Sequence, residues 1–256
     1  MPQASAKEKM SVTQHITTKK SLMYQTQKGF TLIELLIVIT IAAVMAVIAL
    51  PNMNQWIASR RAASQAEQIA NLLRFARNEA VRRNLPVYIC PVKIKSDGLS
   101  NNSCNSDYAG NGMLAYVEQN NIFNYQKQNN NDGDLSIRQI ILNGDTNKVE
   151  YSFNYIPFGT EHSALSSSAP KEVWWKFLPN GTFEHSIVDA TDYENYRFVN
   201  GHIKISLTDE SATDAETKKA RATVLLINGN GHVEICAKND ERKMCEYIPK
   251  NNNGIL

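Results

Sequence analysis

The sequence predicts an α+β protein in which a long N-terminal helix precedes a β-rich head, and three observations carry that reading. An apolar run from Phe30 to Leu50 leads into residues at helical spacing as far as Asn84, apolar or alternating runs of strand length fill residues 86–256, and Asn-Gly turns separate them. A length of 256 residues is enough for one domain with an appendage, and its core needs no staple. With 43% hydrophobic and 20% charged residues, the composition excludes a wholly disordered chain and a many-spanning membrane protein. Charge is segregated. The formal net is +2, yet residues 1–29 carry five lysines and one acid, so the remainder sums to −2 and holds no general attraction for nucleic acid.

Residues 30–50, FTLIELLIVITIAAVMAVIAL, contain one ionisable side chain, Glu34. As a helix this run reaches roughly 31 Å, the thickness of a bilayer's hydrocarbon core, and is expected to form a transmembrane helix. A secretory signal would have a shorter apolar core ending at a small-residue cleavage site, whereas this run proceeds into Pro51 and a further helical pattern. A carboxylate inside a span costs roughly 2.5–3.5 kcal/mol on insertion scales. Glu34 therefore either snorkels to the near interface or accepts a cation supplied by another chain.

The nonapeptide Lys28-Gly29-Phe30-Thr31-Leu32-Ile33-Glu34-Leu35-Leu36 resembles the processing site of type IV pilins and type II secretion pseudopilins. The resemblance implies that a prepilin peptidase cuts between Gly29 and Phe30 and that Phe30 becomes the N-methylated terminus. It further implies that Glu34 pairs with a neighbouring subunit's terminal amine during assembly and that Pro51 loosens the helix. Residues 1–29 would be a leader absent from the mature protein. Leaders of this family are usually short and Met23–Gly29 alone would make a typical one, so translation is expected to begin at Met23, with residues 1–22 untranslated. Lysines before the span agree with the positive-inside rule, which puts them on the cytoplasmic side, and the resemblance implies a single pass through inner-membrane lipid with the head in the periplasm.

Residues 51–85 are expected to form a stem helix, because Ile69, Leu72, Leu73, Ala76 and Ala80 recur at helical spacing and Leu85-Pro86 ends the pattern. Arg60, Arg61, Arg74, Arg77, Arg82 and Arg83 stand against Glu67 and Glu79, a net of +4. This arginine face is expected to be solvated, to pair with Glu79 at i+3 and i+4, and to meet the acidic heads of neighbouring subunits. A nucleic-acid surface is the alternative.

Residues 86–256 read as strands at Val87–Val92, Met113–Val117, Leu135–Leu142, Val149–Phe153, Val173–Leu178, Phe198–Leu207, Val224–Ile227 and His232–Cys236. Asn180-Gly181 and Asn228-Gly229-Asn230-Gly231 are hairpin signals, since such turns need residues that tolerate positive φ. The Asn-rich stretches 101–111, 119–133 and 251–254, and the Ser-rich Ser163–Pro170, are expected as loops or tail, and the head's net charge is −5.

The run LLRFARNEAVRR at 72–83, the Phe177-Leu178-Pro179-Asn180-Gly181 turn and the closing Asn-Gly hairpin resemble the GspH/FimT/FimU group of minor pilins and pseudopilins. The implied fold is a pilin fold, an N-terminal helix packed on two antiparallel sheets. The implied function is that of a low-abundance subunit that, with other minor and major pilins or pseudopilins, initiates or forms the tip complex of a type IV pilus or type II secretion pseudopilus. The alternative is a DNA-binding competence pilin like the FimT branch, whose members carry Gly-Arg-x-Arg near the C-terminus. Here Gly231-His232-Val233-Glu234 puts a neutral His and an acid where that branch has two cations, which removes phosphate contacts. Nucleic acid is not an expected partner.

Cys90, Cys104, Cys236 and Cys245 allow three pairings, and a periplasmic head puts all four in an oxidising compartment. The sequence-local pairing, Cys90–Cys104 with Cys236–Cys245, is expected. A zinc site using His232 and Cys236 is the rival, but the chain lacks the usual C-x-x-C knuckle. No nucleophile elbow, H-E-x-x-H or Walker lysine is present, and His15, His162, His185, His202 and His232 form no spaced cluster. The sequence thus predicts no catalytic residue, metal or cofactor, and a protein that is not an enzyme.

Overall fold

The computed structural model describes residues 29–119, 125–126, 133–143, 146–159, 173–186 and 196–247, with backbone alone at 48–52. The leader before Gly29, most of 119–133, Ser163–Pro170 and the 251–254 tail lie outside them. The chain divides between Val47 and Ile48 into two compact units.

A single helix, α1, runs from Leu32 to Arg83. It begins where Thr31 accepts the Glu34 N–H on Oγ1 at 3.3 Å and the Leu35 N–H on its carbonyl at 3.2 Å. Thr31-Leu32-Ile33-Glu34 is thus a Thr-x-x-Glu cap. The helix ends where Asn84 takes a φ of 55°. Asn tolerates the left-handed conformation that closes a helix, and Pro86 then disfavours helical geometry at Leu85.

In the first unit every described side chain up to Val47 is exposed, Phe30 by 82% and Leu32 by 81%. A helix apolar all round is suited to a membrane or to the company of other helices, not to water. Among the described residues no helix is long and apolar enough to cross a membrane, and the described side chains of this apolar run stop at Val47. Pro51 lies within α1, but its side chain is outside the described residues.

The second unit joins the remainder of α1 to the head. Its strands are β1 (Val87–Pro91), β2 (Gly112–Val117), β3 (Leu135–Ile141), β4 (Val149–Pro157), β5 (Trp175–Phe177), β6 (Phe183–Ser186), β7 (Tyr196–Phe198), β8 (Gly201–Asp209), β9 (Thr223–Asn228) and β10 (Val233–Ile235). They form a six-stranded sheet in the order β3-β2-β1-β5-β6-β7 and a four-stranded sheet in the order β10-β9-β8-β4. Every pairing is antiparallel. The run expected at Phe198–Leu207 is two strands in different sheets, because the Asn200 and Gly201 N–H groups donate to the Phe198 and Val199 carbonyls and turn the chain there. Besides the 3-10 turns at Ser106–Tyr108 and Lys243–Cys245, two elements go beyond the expected list. One is β6, the short return strand of the Asn180-Gly181 hairpin, and the other is helix α2 (Ala215–Arg221), capped by Asp214, which accepts the Thr217 N–H at 2.7 Å.

The stem packs on both sheets through one core. Its buried face is mostly small, Ala58, Ala62, Ala66, Ala70, Ala76 and Ala80, with Ile69, Leu72 and Leu73 between them. The alanines let the helix approach closely, while the three larger side chains contribute roughly 1.5–3 kcal/mol each by burial. They meet Val87, Ile89, Trp175 and Phe177 of one sheet and Ile203, Ile205, Leu225 and Ile227 of the other. The sheets also touch directly, with Phe153 and Trp175 ring centroids 6.1 Å apart. The one polar side chain on the stem's buried face, Gln65, accepts the Tyr151 hydroxyl proton.

Candidate processing and assembly site

The expected processing residues stand together at the start of the first unit. No described atom lies within 4 Å of where a Gly29 Cβ would sit. The fold itself therefore does not require glycine there. Phe30 is exposed and Thr31 caps the helix, which places Glu34 in the first turn, where the helix dipole favours a carboxylate. A chain beginning at Phe30 would carry an α-amino cation four residues from that carboxylate.

The stem arginines are solvated as expected, Arg60, Arg74, Arg77 and Arg82 being exposed and Arg61 and Arg83 half-buried, yet five of the six also reach acceptors within their own chain. Arg82 and Arg83 do pair with Glu79, both at 2.6 Å, and their hydrogen bonds hold its carboxyl down to about 2. Arg61, however, lies 3.6 Å from Asp209, a buried carboxylate at the end of β8 that Arg221 also approaches at 3.6 Å. Arg74 donates to the Val233 carbonyl and Arg77 to the Gly181 carbonyl, each at 3.2 Å. Gly181 and Gly231 both hold φ in the left-handed region, at 80° and 72°, and close the β5–β6 and β9–β10 hairpins. Arg77 packs against both turns, so one side chain ties the stem to a hairpin of each sheet. Arg60 lies over the Trp56 ring at 5.4 Å.

Cys90 is bonded to Cys104 and Cys236 to Cys245, with Cα–Cα distances of 5.9 and 5.7 Å. The first bridge sits on the outer face of the six-stranded sheet beside Tyr88, Leu114, Tyr116 and Trp174. The second lies on the outer face of the four-stranded sheet, where Cys245 and Tyr247 cover Ala222, Val224 and Leu226. Beneath that segment Lys204 is fully buried, its ammonium donating to the Glu246 carbonyl. Burial pushes its pKa down to about 8, partly offset by Glu246. The one grouping with metal-ligand proximity among the described residues is Cys236, Asp240 and Cys245. Its sulfurs are joined to each other and offer no thiolate. His232 is exposed on the approach to β10, and Glu234 is taken up by Arg242. His15 and His162 lie outside the described residues.

The Thr31–Glu34 cap was readable from its spacing. Nothing local announces Lys204 or the backbone partners of Arg74 and Arg77, which are distant in sequence.

A capped apolar helix, an arginine-clasped stem and two antiparallel sheets define a pilin-like subunit. Residues 65–231 match the family described as Type II transport protein GspH, and residues 24–50 match the prokaryotic N-terminal methylation motif. The GspH match covers more than half of the chain, and the chain belongs to that family. It is a minor pilin or pseudopilin, a structural subunit that assembles with other pilin-like subunits and not an enzyme. Among solved structures it is similar to the type IV minor pilin FimU of Pseudomonas aeruginosa, at 14% identity and a TM-score of 0.39, over 71% of this chain and 92% of that one. It is also similar to the minor pseudopilin EpsH of the Vibrio cholerae type 2 secretion system, at 10% identity and a TM-score of 0.37, over 70% and 99%. The chain matches no curated protein by sequence.

Proposed function

We propose that this subunit is made as a precursor, cut between Gly29 and Phe30 by a prepilin peptidase, and N-methylated on Phe30. Residues 30–50 then hold it in the inner membrane as a single pass, with the stem (51–85) and head (86–256) on the periplasmic side. There Cys90–Cys104 and Cys236–Cys245 form in an oxidising environment. Assembly brings a neighbour's terminal amine to Glu34, Pro51 loosens the helix, and the subunit serves in the initiating or tip complex of a type IV pilus or type II secretion pseudopilus. The observation that supports this reading is the presence in one chain of the methylation motif and the GspH match, with α1 running through both.

Physical chemistry favours the pairing. An amine and a carboxylate both lose water when helices bundle, and an intermolecular pair lets each neutralise the other where the dielectric is low. It also fixes the axial stagger of one subunit against the next. Mass spectrometry of membrane-extracted protein should find N-methyl-Phe30 as the terminus, and a mature chain retaining residues before Gly29 would overturn the processing. Glu34→Gln keeps size and polarity but removes the charge. Cleavage should continue while the ratio of assembled to membrane-held protein falls, and an unchanged ratio would show that the carboxylate has no part in assembly.

A further inference from the structure

We propose that Trp56 and Arg60 form a lipid-binding site at the membrane end of the stem, the Arg60 guanidinium taking a phospholipid phosphate while the Trp56 indole lies among the headgroup and glycerol groups beside it. This rests on the single-pass reading above. Met53, Trp56, Ile57 and Arg60 recur at i, i+3, i+4 and i+7, which places them on one helix face. That face is open, with Met53 exposed by 55%, Trp56 by 59% and Ile57 by 42%, whereas Ala58, Ala62 and Gln65 are buried against the head. The stem thus presents an uncovered amphipathic stripe that begins three residues after the apolar run ends.

Arg60 differs from the other stem arginines in its partner. Arg61, Arg74, Arg77, Arg82 and Arg83 all reach carboxylates or carbonyls. Among the described residues Arg60 meets only the face of Trp56. A ring under the guanidinium fixes its plane and neutralises little of its charge, so its N–H donors remain available to an acceptor outside the protein. A guanidinium fork matches phosphate in charge and geometry. Tryptophan is the residue that favours the membrane–water interface, where an apolar ring and a polar N–H are both accommodated. A neighbouring subunit's helix is the competing occupant. Helix seams in membranes favour small side chains that let backbones close up, and a bulky indole capped by a cation with no acceptor among the described residues suits lipid better.

Bromolipid quenching tests this on the full chain in vesicles, because the other tryptophans, Trp174 and Trp175, are buried in the head. Phosphatidylglycerol vesicles would carry bromine on the acyl chain either near the glycerol or near the terminal methyl. Shallow bromines should quench more than deep ones, and Trp56→Phe should abolish most of the quenching. Arg60→Gln should weaken shallow quenching while leaving the head's near-UV circular dichroism unchanged. Equal quenching in wild type and Trp56→Phe would overturn the site, and so would quenching insensitive to Arg60→Gln. An alkaline carbonate wash separates the two levels of the argument. A chain washed off the vesicles refutes the single pass itself, whereas a chain that stays but shows no Trp56 quenching refutes only the lipid site.

Discussion

Replacing Gly231 by Ala should do more damage than the loss of one flexible residue, because this position joins three parts of the fold. Gly231 holds a φ of 72°, and a Cβ there would lie 2.7 Å from the Gly181 carbonyl oxygen and 2.9 Å from both Cδ and Nε of Arg77. The left-handed conformation alone costs an alanine about 1–2 kcal/mol. Relief of the clash moves Arg77 or the Gly181 carbonyl, which are themselves hydrogen-bonded at 3.2 Å. Loss of a hydrogen bond to a charged group costs roughly 1.5–3 kcal/mol. The sum is about 2.5–5 kcal/mol. Gly98→Ala is the control, since Gly98 has a φ of 78° but nothing within 4 Å of its Cβ position, and should cost the conformational part alone. Urea unfolding of residues 53–256, followed by the emission of buried Trp174 and Trp175, should show at least twice the midpoint shift for Gly231→Ala with the slope m unchanged. In an Arg77→Ala background the Gly231→Ala cost should shrink, because the two share one contact. Equal costs for the two glycines, or strict additivity with Arg77→Ala, would refute the three-way junction.

Other expectations follow from the same packing. Leu73→Ala removes a fully buried side chain from the face shared by stem and sheets and should destabilise the head by about 2–5 kcal/mol in the same urea assay. Lys204 has a folded-state pKa near 8 against an ordinary 10.5, so between those values the unfolded chain binds more protons and stability should rise with pH. The stability difference between wild type and Lys204→Met should therefore shift in favour of wild type as pH rises through that window, and a constant difference would exclude Lys204 as its source. Cys245→Ser opens the bridge that lies over this lysine. Mass-mapped acylation should label Lys204 in that variant and spare it in the oxidised protein, while stability falls by roughly 3 kcal/mol.

The parts of this molecule visible in its sequence are those whose cause is local. The stem's helical spacing, its end before Pro86 and the Asn-Gly turns depend on residues within a few positions of one another, and each has its counterpart in α1, Asn84 and the two glycine-closed hairpins. β6 carries no sequence signal, since a four-residue strand reading Phe-Glu-His-Ser has too little alternation to register, and its pairing with β5 is set by the turn. The division of residues 196–209 between two sheets was hidden for a different reason. Both strands are good β-formers, and only the turn at Val199–Gly201 separates them. Lys204 looks like one more polar residue of an alternating strand. Its burial comes from a segment some forty residues later that folds back across the sheet.

The arginine run carries the argument furthest, because charge counting and geometry assign it different work. A net of +4 on a helix reads as a surface for acidic partners. In the folded chain five of these side chains, though largely solvated, reach acceptors of their own chain: Glu79, buried Asp209 and two backbone carbonyls that lie 104 and 159 residues away. Backbone acceptors have no sequence signature, so no reading of side-chain charge could find them. Their effect is to tie the stem to a hairpin of each sheet. Once those five arginines are accounted for, the stem's remaining cation is Arg60, held over Trp56 at the end nearest the apolar run. A charge with no acceptor among the described residues at that position is, on the lipid proposal, better matched by a phosphate at the bilayer surface than by an acidic head elsewhere in a filament.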